Sequence, residues 1–218
     1  MADPCLYHGV FQSKKVLLIL YVDDVLLLCE DEGILRDIME NLNKNFEANI
    51  CKSGCFVGIK IDQNKDDSIF IHSHDYIRKL LRQFNLEFCN PVSVPADPNA
   101  ILSSEPDTIL EETVPYREAV GSLLFLSATT RPDITCAVNL VSRFQNNYSH
   151  VHWNAVKRIM KYLKGTPCYG IRYISETENP YLVAYSNADF AGDLDTRRST
   201  TGYVFMLSSG AITWNTTF

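Results

Sequence analysis

The stretch Val16–Asp31, VLLILYVDDVLLLCED, places two adjacent aspartates between two strongly apolar runs. Val16–Tyr21 and Val25–Cys29 are short and apolar on both faces, which predicts two strands beneath a covering layer. Val22–Asp24 then forms the bend between them. The stretch therefore predicts an antiparallel hairpin with two carboxylates at its tip.

Two interpretations of the aspartate pair are open. Aspartates are frequent in turns, so Asp23 and Asp24 could simply shape the bend. Carboxylates are also the ligands of hard cations such as Mg²⁺, and phosphoryl-transfer enzymes hold two such ions. An internal position would be untenable without cations, because burying an unpaired ionised carboxylate costs several kcal/mol or more.

This argument predicts the surroundings of the hairpin. At least one of the two carboxylates should therefore be exposed to solvent.

Composition limits the class of protein. Of 218 residues, 46% are hydrophobic and 21% charged, which indicates a globular chain. Its seven scattered cysteines are typical of reduced thiols, and Cys51 and Cys55 lack the second pair that a zinc site needs. Without a basic-then-apolar leader or an apolar run long enough to span a bilayer, a cytoplasmic or nuclear protein is expected, neither secreted nor membrane-bound. The oligomeric state stays open.

Periodicity and turn residues predict an α+β fold. Helices are predicted at Gly33–Phe46, His74–Phe84, Tyr116–Thr129, Pro132–Asn146 and His150–Lys164. Strands are predicted at Gly54–Asp62, Ser68–His72, Gly170–Ser175, Tyr181–Ser186, Gly202–Leu207 and Ala211–Trp214. The proline-containing stretch Pro91–Pro115 is predicted to be a linker.

Charge and histidine placement give further candidates. The net charge of −6 argues mildly against nucleic-acid binding, but basic residues cluster on the last predicted helix. This basic stripe is either a solvated face or a track for a phosphate backbone, and it comprises Lys157, Arg158, Lys161 and Lys164. Two histidine pairs show no carboxylate partner that would make a metal site, and they are predicted to be structural or capping residues: His72 with His74, and His150 with His152.

The sequence YVDD between apolar strands resembles the palm hairpin of reverse transcriptases. Further stretches make the chain similar, over almost its whole length, to the Ty1/copia class of retrotransposon Pol polyproteins. They are DPCLY at Asp3–Tyr7, LYVDDVLL at Leu20–Leu27, FVGIKI at Phe56–Ile61, YREAVGSLLFLSATTRPDI at Tyr116–Ile134, HWNAVKRIMKYLKGT at His152–Thr166 and YSNADFAGDLDTRRSTTGYVF at Tyr185–Phe205. YVDD alone is a weak signal, whereas the ordered set is very specific.

The resemblance implies an RNA-directed DNA polymerase that acts on a template–primer, either an RNA/DNA hybrid or a DNA duplex. It implies that Asp23 and Asp24 are the catalytic ligands of Mg²⁺ or Mn²⁺. The remaining implied nucleic-acid contacts are Val57 and Gly58 in a primer-grip turn, Gly121 and Phe125 along the minor groove, and Lys157, Arg158 and Lys161 on the basic stripe.

The resemblance also implies four regions. These are a palm remnant at residues 1–90, a linker at 91–115, a helical thumb at 116–166 and the first strands of a truncated RNase H-like domain at 167–218. In the last region Asn187 stands where the family has a metal-binding aspartate, and Asp189 follows it in the same motif.

These departures predict a fragment. Only 22 residues precede Asp23, too few for the upstream palm carboxylate of the family. The chain is therefore expected to be inactive in isolation and not to hold Mg²⁺ tightly. No upstream carboxylate is expected within about 5 Å of the aspartate pair, the reach of shared metal coordination. Without their palm neighbours, the apolar strands should leave an exposed hydrophobic patch or an unpaired edge. Two alternatives are open: a non-enzymatic, nucleic-acid-binding or host-adopted remnant that uses the basic thumb helices, or a gene piece without function.

Overall fold

The computed structural model describes residues 3–46, 54–97, 99–100, 102–103, 114–174, 181–193 and 196–217. The chain divides into two compact units, Met1–Ile61 and Asp62–Phe218. Both contain helices and antiparallel strands, which confirms a mixed fold of the α+β kind. The finer division into palm, thumb and RNase H-like regions stays a prediction.

The first unit is built on a three-stranded antiparallel sheet. Its strands are β1 (Leu6–Phe11), β2 (Lys14–Tyr21) and β3 (Asp24–Cys29), with β2 in the centre. The predicted hairpin is confirmed as β2–β3, in register from Val16–Cys29 to Tyr21–Asp24. Strand β1 was not predicted, because Gly9 interrupts an otherwise short apolar pattern.

A helix and a second hairpin complete this unit. Helix α1 (Glu32–Phe46) confirms the predicted helix. Strands β4 (Cys55–Phe56) and β5 (Ile59–Gln63) replace the single strand predicted over Gly54–Asp62, which is wrong. Val57 and Gly58 lie between them with φ of 50° and 77°. Two successive residues of positive φ form a tight hairpin turn, and glycine adopts the second without steric cost.

The second unit has a helical core. Its helices are α2 (His74–Gln83), α3 (Tyr116–Thr129), α4 (Thr135–Ser142) and α5 (His150–Gly165), and a 3-10 turn at Pro132–Ile134 precedes α4. The predicted helices are therefore confirmed, except that the one expected over Pro132–Asn146 is shorter. The inward-facing side chains are almost fully buried, among them Ile77, Leu80, Val120, Leu123, Leu126, Val138, Ile159, Met160 and Leu163.

Strands flank this core. Strand β6 (Ile69–His72) pairs antiparallel with β7 (Gly170–Tyr173). A second antiparallel sheet contains β8 (Val183–Ala188), β9 (Thr201–Leu207) and β10 (Gly210–Thr217), with β9 in the centre. These strands confirm the predicted ones within a few residues, while Ser175 lies outside the described residues.

Described residues of the predicted linker contact the helical core. Leu102 belongs to the buried core cluster and Val92 packs against it. Lys164 Nζ also donates a hydrogen bond to the Cys89 carbonyl oxygen at 2.7 Å, just before the proline-containing stretch. Residues 104–113 lie outside the described residues. Val92 and Leu102 are therefore packed on the helical core.

A buried arginine joins two loops of the helical core. The Arg131 side chain is 1% exposed, and its Nε and Nη2 donate to the two Asp133 carboxylate oxygens at 2.9 and 2.8 Å. Its Nη1 donates to the Thr166 carbonyl at 2.9 Å, and Nη2 donates to Thr166 Oγ1 at 2.6 Å. The Tyr162 hydroxyl donates to Asp133 as well. We call Arg131, Asp133, Tyr162 and Thr166 the arginine network.

One histidine of each predicted pair, His72 and His152, accepts a hydrogen bond at a helix N-terminus. The His74 amide donates to His72 Nδ1 at the start of α2, and His72 Nε2 lies 3.0 Å from Asp62 Oδ2. His152 completes a capping box with Ser149 at the start of α5. The two imidazoles therefore satisfy backbone donors at the starts of α2 and α5.

Among the described residues, no helix has the length and apolar character needed to cross a membrane. The six described cysteines are free thiols, whereas Cys51 lies outside the described residues.

Candidate active site and nucleic-acid interface

The hairpin tip presents both aspartates to solvent. Asp23 and Asp24 are exposed, as expected for at least one of them. The connection is two residues long, because Asp24 already pairs with Tyr21 and only Val22 and Asp23 form the turn. Val22 has φ of 51°, a conformation that is an outlier for a β-branched residue. Two-residue hairpin loops require a positive φ at their first residue, so Val22 adopts an unfavourable conformation to keep the connection tight.

A hydrogen bond links the tip to the second hairpin of the same unit. The Val57 amide donates to Asp24 Oδ2 at 3.1 Å. Val57 opens the positive-φ turn of β4–β5, so two segments 33 residues apart in sequence meet at one carboxylate. The structure thus brings together three of the predicted site residues, Asp24, Val57 and Gly58.

The aspartate pair fits Mg²⁺ in donor type but supplies few ligands. Mg²⁺ prefers oxygen ligands and is usually held by one or two carboxylates together with substrate phosphates. No group of three or more His, Cys, Asp or Glu side chains within the described ranges could hold a metal. The pair can therefore contribute part of a coordination sphere that nucleotide oxygens and other ligands complete.

The three acidic residues after β3 have other partners. Asp31 Oδ1 accepts hydrogen bonds from the Gly33 and Ile34 amides at 2.8 and 3.1 Å, capping α1. Glu30 forms an ion pair with Lys14, and Glu32 forms one with Arg36. These contacts give each side chain a role separate from the hairpin tip.

The sheet that carries the tip exposes much apolar surface. Strands β1 and β3 are its edges. Large exposed side chains on and around these strands are Leu6, Tyr7, Val10, Phe11, Leu17, Tyr21, Val22, Val25 and Leu28. The described residues therefore show the expected exposed apolar side chains and unpaired strand edges, and exposed apolar surface of this kind can mark contacts with other protein or ligand.

Gly121 and Phe125 share one face of α3. They are separated by four positions, so they lie one above the other on the helix. Gly121 is exposed, and a Cβ atom added to it would meet nothing within 4 Å. Phe125 is half-buried against Tyr76, with ring centroids 4.8 Å apart. Packing within the described chain therefore gives no reason for a glycine here, although glycine weakens a helix interior by about 1 kcal/mol relative to alanine.

The cations of the basic stripe differ in their contacts. Lys157 Nζ lies 6.0 Å from the Trp153 ring centroid, and Arg158 Nη1 lies 3.3 Å from Asp97 Oδ2. Lys164 is engaged by the Cys89 carbonyl oxygen. Lys157, Arg158 and Lys161 line one groove of the second unit. The stripe is therefore partly built into the fold rather than a uniformly solvated face.

Asn187 and Asp189 line a cavity of about 470 Å³ at the end of β8. Asp189 Oδ1 accepts a hydrogen bond from the Thr200 amide at 2.6 Å. Gly192 packs so closely that an added Cβ would lie 2.3 Å from Asp189 Oδ2. Burial, with a smaller effect of the Asp189 charge, raises the pKa of the Cys136 thiol in the same cavity.

Sequence reasoning missed the buried acid of this cavity. Asp193 is 6% exposed, its Oδ2 forms an ion pair with Arg143 Nη2 at 2.5 Å, and both line the cavity. Asp193 also accepts a hydrogen bond from the Thr196 hydroxyl at 2.9 Å. Asp193 lies in the family-like stretch ADFAGDLDTRRSTTGY, which marks it as a candidate. Its ion pair with Arg143, 50 positions away, could not be predicted from that stretch.

The chain is similar to a known protein family and to several known proteins. The family described as reverse transcriptase (RNA-dependent DNA polymerase) matches residues 2–98. The chain is 38% identical over 226 residues to the retrovirus-related Pol polyprotein from transposon TNT 1-94 of Nicotiana tabacum, covering 98% of this chain and 17% of that protein. It is 37% identical over 209 residues to the corresponding polyprotein from transposon RE1 of Arabidopsis thaliana, covering 94% and 14%.

A shorter relative has nearly the same extent. The chain is 31% identical over 199 residues to an uncharacterized mitochondrial protein of Arabidopsis thaliana, covering 91% of this chain and 81% of that protein. No solved structure matches significantly. The chain spans less than a fifth of the two Pol polyproteins that it matches. On these similarities, the chain belongs to the reverse transcriptase family of retrotransposon Pol polyproteins.

Proposed function

We propose that this chain is the part of a copia-type reverse transcriptase that supplies two catalytic aspartates to RNA-directed DNA synthesis. The observation that carries the proposal is the hairpin tip, where adjacent carboxylates are exposed on a strained two-residue turn and one is hydrogen-bonded to the Val57 amide. A rigid hairpin can position such carboxylates reproducibly.

In the proposed reaction, bound Mg²⁺ would stabilise charge on the attacking and leaving oxygens. Asp23 and Asp24 would hold the ions, and the Asp24–Val57 hydrogen bond would orient one carboxylate. The Val57–Gly58 turn would lie against the primer end, where the missing side chain of Gly58 allows close approach. In this scheme residues 1–90 are palm, 91–115 linker and 116–166 thumb.

The proposal is tested in a chimera. This chain replaces its matched segment in the tobacco TNT 1-94 polyprotein, and primer extension with Mg²⁺ is compared with that of the unaltered polyprotein. Extension by the chimera supports the proposal. A chimera that is produced at the normal level and folded, yet shows no extension, contradicts it. The isolated chain is expected to give no extension, because its aspartate pair supplies only part of a metal site.

Gly121 offers a test in which stability and function change in opposite directions. We expect Gly121→Ala to raise the free energy of unfolding of the isolated chain by about 0.5–1 kcal/mol, since alanine is the better helix former and the added Cβ meets no neighbour. If a template–primer packs against this glycine, the same change should weaken duplex binding by the chain. Chemical denaturation and fluorescence anisotropy measure the two effects, and Ser122→Ala on the neighbouring surface is the control. Higher stability with unchanged duplex affinity would contradict the proposed contact.

Residues 167–218 are proposed to be the first strands of an RNase H-like domain. An amide at position 187 is a weaker Mg²⁺ ligand than a carboxylate. We nevertheless expect Asn187→Asp to leave the isolated chain unable to cleave an RNA/DNA hybrid, because the buried acid of the same cavity, Asp193, is paired with Arg143. A gel assay with labelled RNA measures cleavage. Cleavage that appears with this single substitution would show that the metal site is complete without further residues.

A further inference from the structure

The basic stripe forms one side of a groove within the second unit. The groove has a volume of about 320 Å³, close to the lower end for ligand pockets. Its cationic side is formed by Lys157, Arg158 and Lys161 on α5. Its other side is mainly apolar and is formed by described residues near the proline-containing stretch and on α4, namely Val92, Pro95, Leu102, Leu140 and Val141.

The arginine in this groove is incompletely satisfied. Arg158 Nη1 lies 3.3 Å from Asp97 Oδ2, whereas its Nε is buried and has no hydrogen-bond partner. An arginine offers a planar fork of donors that matches two oxygens of one phosphate group. The Arg158 side chain is 30% exposed, so an added acceptor can approach it where Asp97 now lies. Asp97 contacts only Nη1 of this guanidinium group.

We propose that this groove binds one nucleotide of a single-stranded segment, with its phosphate at Arg158 and Lys161 in place of the Asp97 carboxylate. This inference rests on the proposed function and names the form of nucleic acid that the stripe binds. The base would lie against the apolar side formed by Val92 and Pro95.

The shape and chemistry of the groove favour a single strand over a duplex. A duplex presents phosphates on a rigid, convex surface and keeps its bases stacked inside, so the apolar side of the groove would contact nothing. An unpaired nucleotide can place its phosphate on the cations and its base on apolar side chains, which is how single-strand-binding grooves work. Asp97 then acts as an internal competitor, because it occupies the same arginine with the same sign of charge as a phosphate.

The test compares two substitutions that change the net charge equally. Asp97→Asn removes the competitor, whereas Asp67→Asn removes an exposed charge in a turn outside the groove, at φ of 58°, which asparagine tolerates. Binding of the full chain to a labelled oligothymidylate and to a blunt DNA duplex is measured by fluorescence anisotropy at one salt concentration. We expect Asp97→Asn to tighten oligothymidylate binding about fivefold or more, and Asp67→Asn to have much less effect. Lys161→Gln should weaken it.

Three results would overturn the inference. The first is equal tightening by Asp97→Asn and Asp67→Asn, which would indicate only general charge. The second is tighter binding of the duplex with no response to Asp97→Asn, which leaves the proposed template–primer function intact. The third is absence of binding to either nucleic acid. Failure of the proposed function itself is detected separately by primer extension of the chimera.

Discussion

Replacement of Arg131 by methionine is expected to lower the free energy of unfolding of the Asp62–Phe218 unit by about 2–4 kcal/mol. Breaking a buried ion pair by removing one partner costs about 3–5 kcal/mol, because the other charge is left uncompensated. The expected value is lower here, since the Asp133 side chain is 31% exposed and water can solvate part of its charge. The methionine also leaves the Thr166 carbonyl without its arginine donor.

The two tryptophans make this effect measurable in one unit. Trp153 and Trp214 both belong to Asp62–Phe218, so urea unfolding followed by tryptophan fluorescence reports on that unit. Arg78→Met, on the exposed face of α2, is the matched control and should change the free energy by no more than about 0.5 kcal/mol. An Arg131→Met variant that unfolds at the same urea concentration as the control would show that the arginine network does not stabilise the unit.

The arginine network also explains two of the sequence stretches that identified the family. Arg131 and Asp133 lie in TRPDI, and Thr166 ends YLKGT. Their side chains meet across 35 positions of sequence, between the start of the α4 region and the end of α5. Arg131, Asp133 and Thr166 therefore have a structural role in this unit. The sequence alone shows that these residues lie in family-like stretches, whereas the structure shows that they hold two loops together.

The secondary structure could be predicted where the apolar residues follow a single helical or strand spacing. Ile77, Leu80 and Leu81 form the buried side of α2, and their spacing predicted that helix almost to the residue. The prediction failed where one residue changes the backbone direction. Val57 adopts a positive φ that its side chain does not favour, so an apolar run that looks like one strand becomes a hairpin.

The candidate site was predictable in its residues but not in its connections. The tip position of Asp23 and Asp24 followed from the cost of burying charge. The hydrogen bond from Val57 to Asp24 and the ion pair of Arg158 with Asp97 link residues 33 and 61 positions apart. Contacts over such distances depend on tertiary packing, which no local pattern encodes. Both contacts can be tested by substitution of one partner.

The largest functional effect is expected from Asp23→Asn in the chimera with the tobacco polyprotein. The substitution keeps the size of the side chain and its exposed position at the tip, but it removes the negative charge that a divalent cation needs. Metal-ion stabilisation of a transition state is worth several kcal/mol, and a loss of about 4 kcal/mol corresponds to about a thousand-fold in rate. Primer extension should therefore fall by about that factor, and Asp24→Asn should have a similar effect.

A control substitution distinguishes loss of a metal ligand from a general effect of charge. Asp67→Asn in the same chimera changes the charge equally at an exposed turn and should leave extension within about twofold. If the aspartates only shape the bend, asparagine should serve as well, because both residues favour turns. Extension by the Asp23→Asn chimera within tenfold of the unsubstituted chimera would then support the turn-forming interpretation. A thousand-fold loss, with the Asp67→Asn control active, requires the carboxylate itself and explains why two charged residues lie between the most apolar strands of the chain.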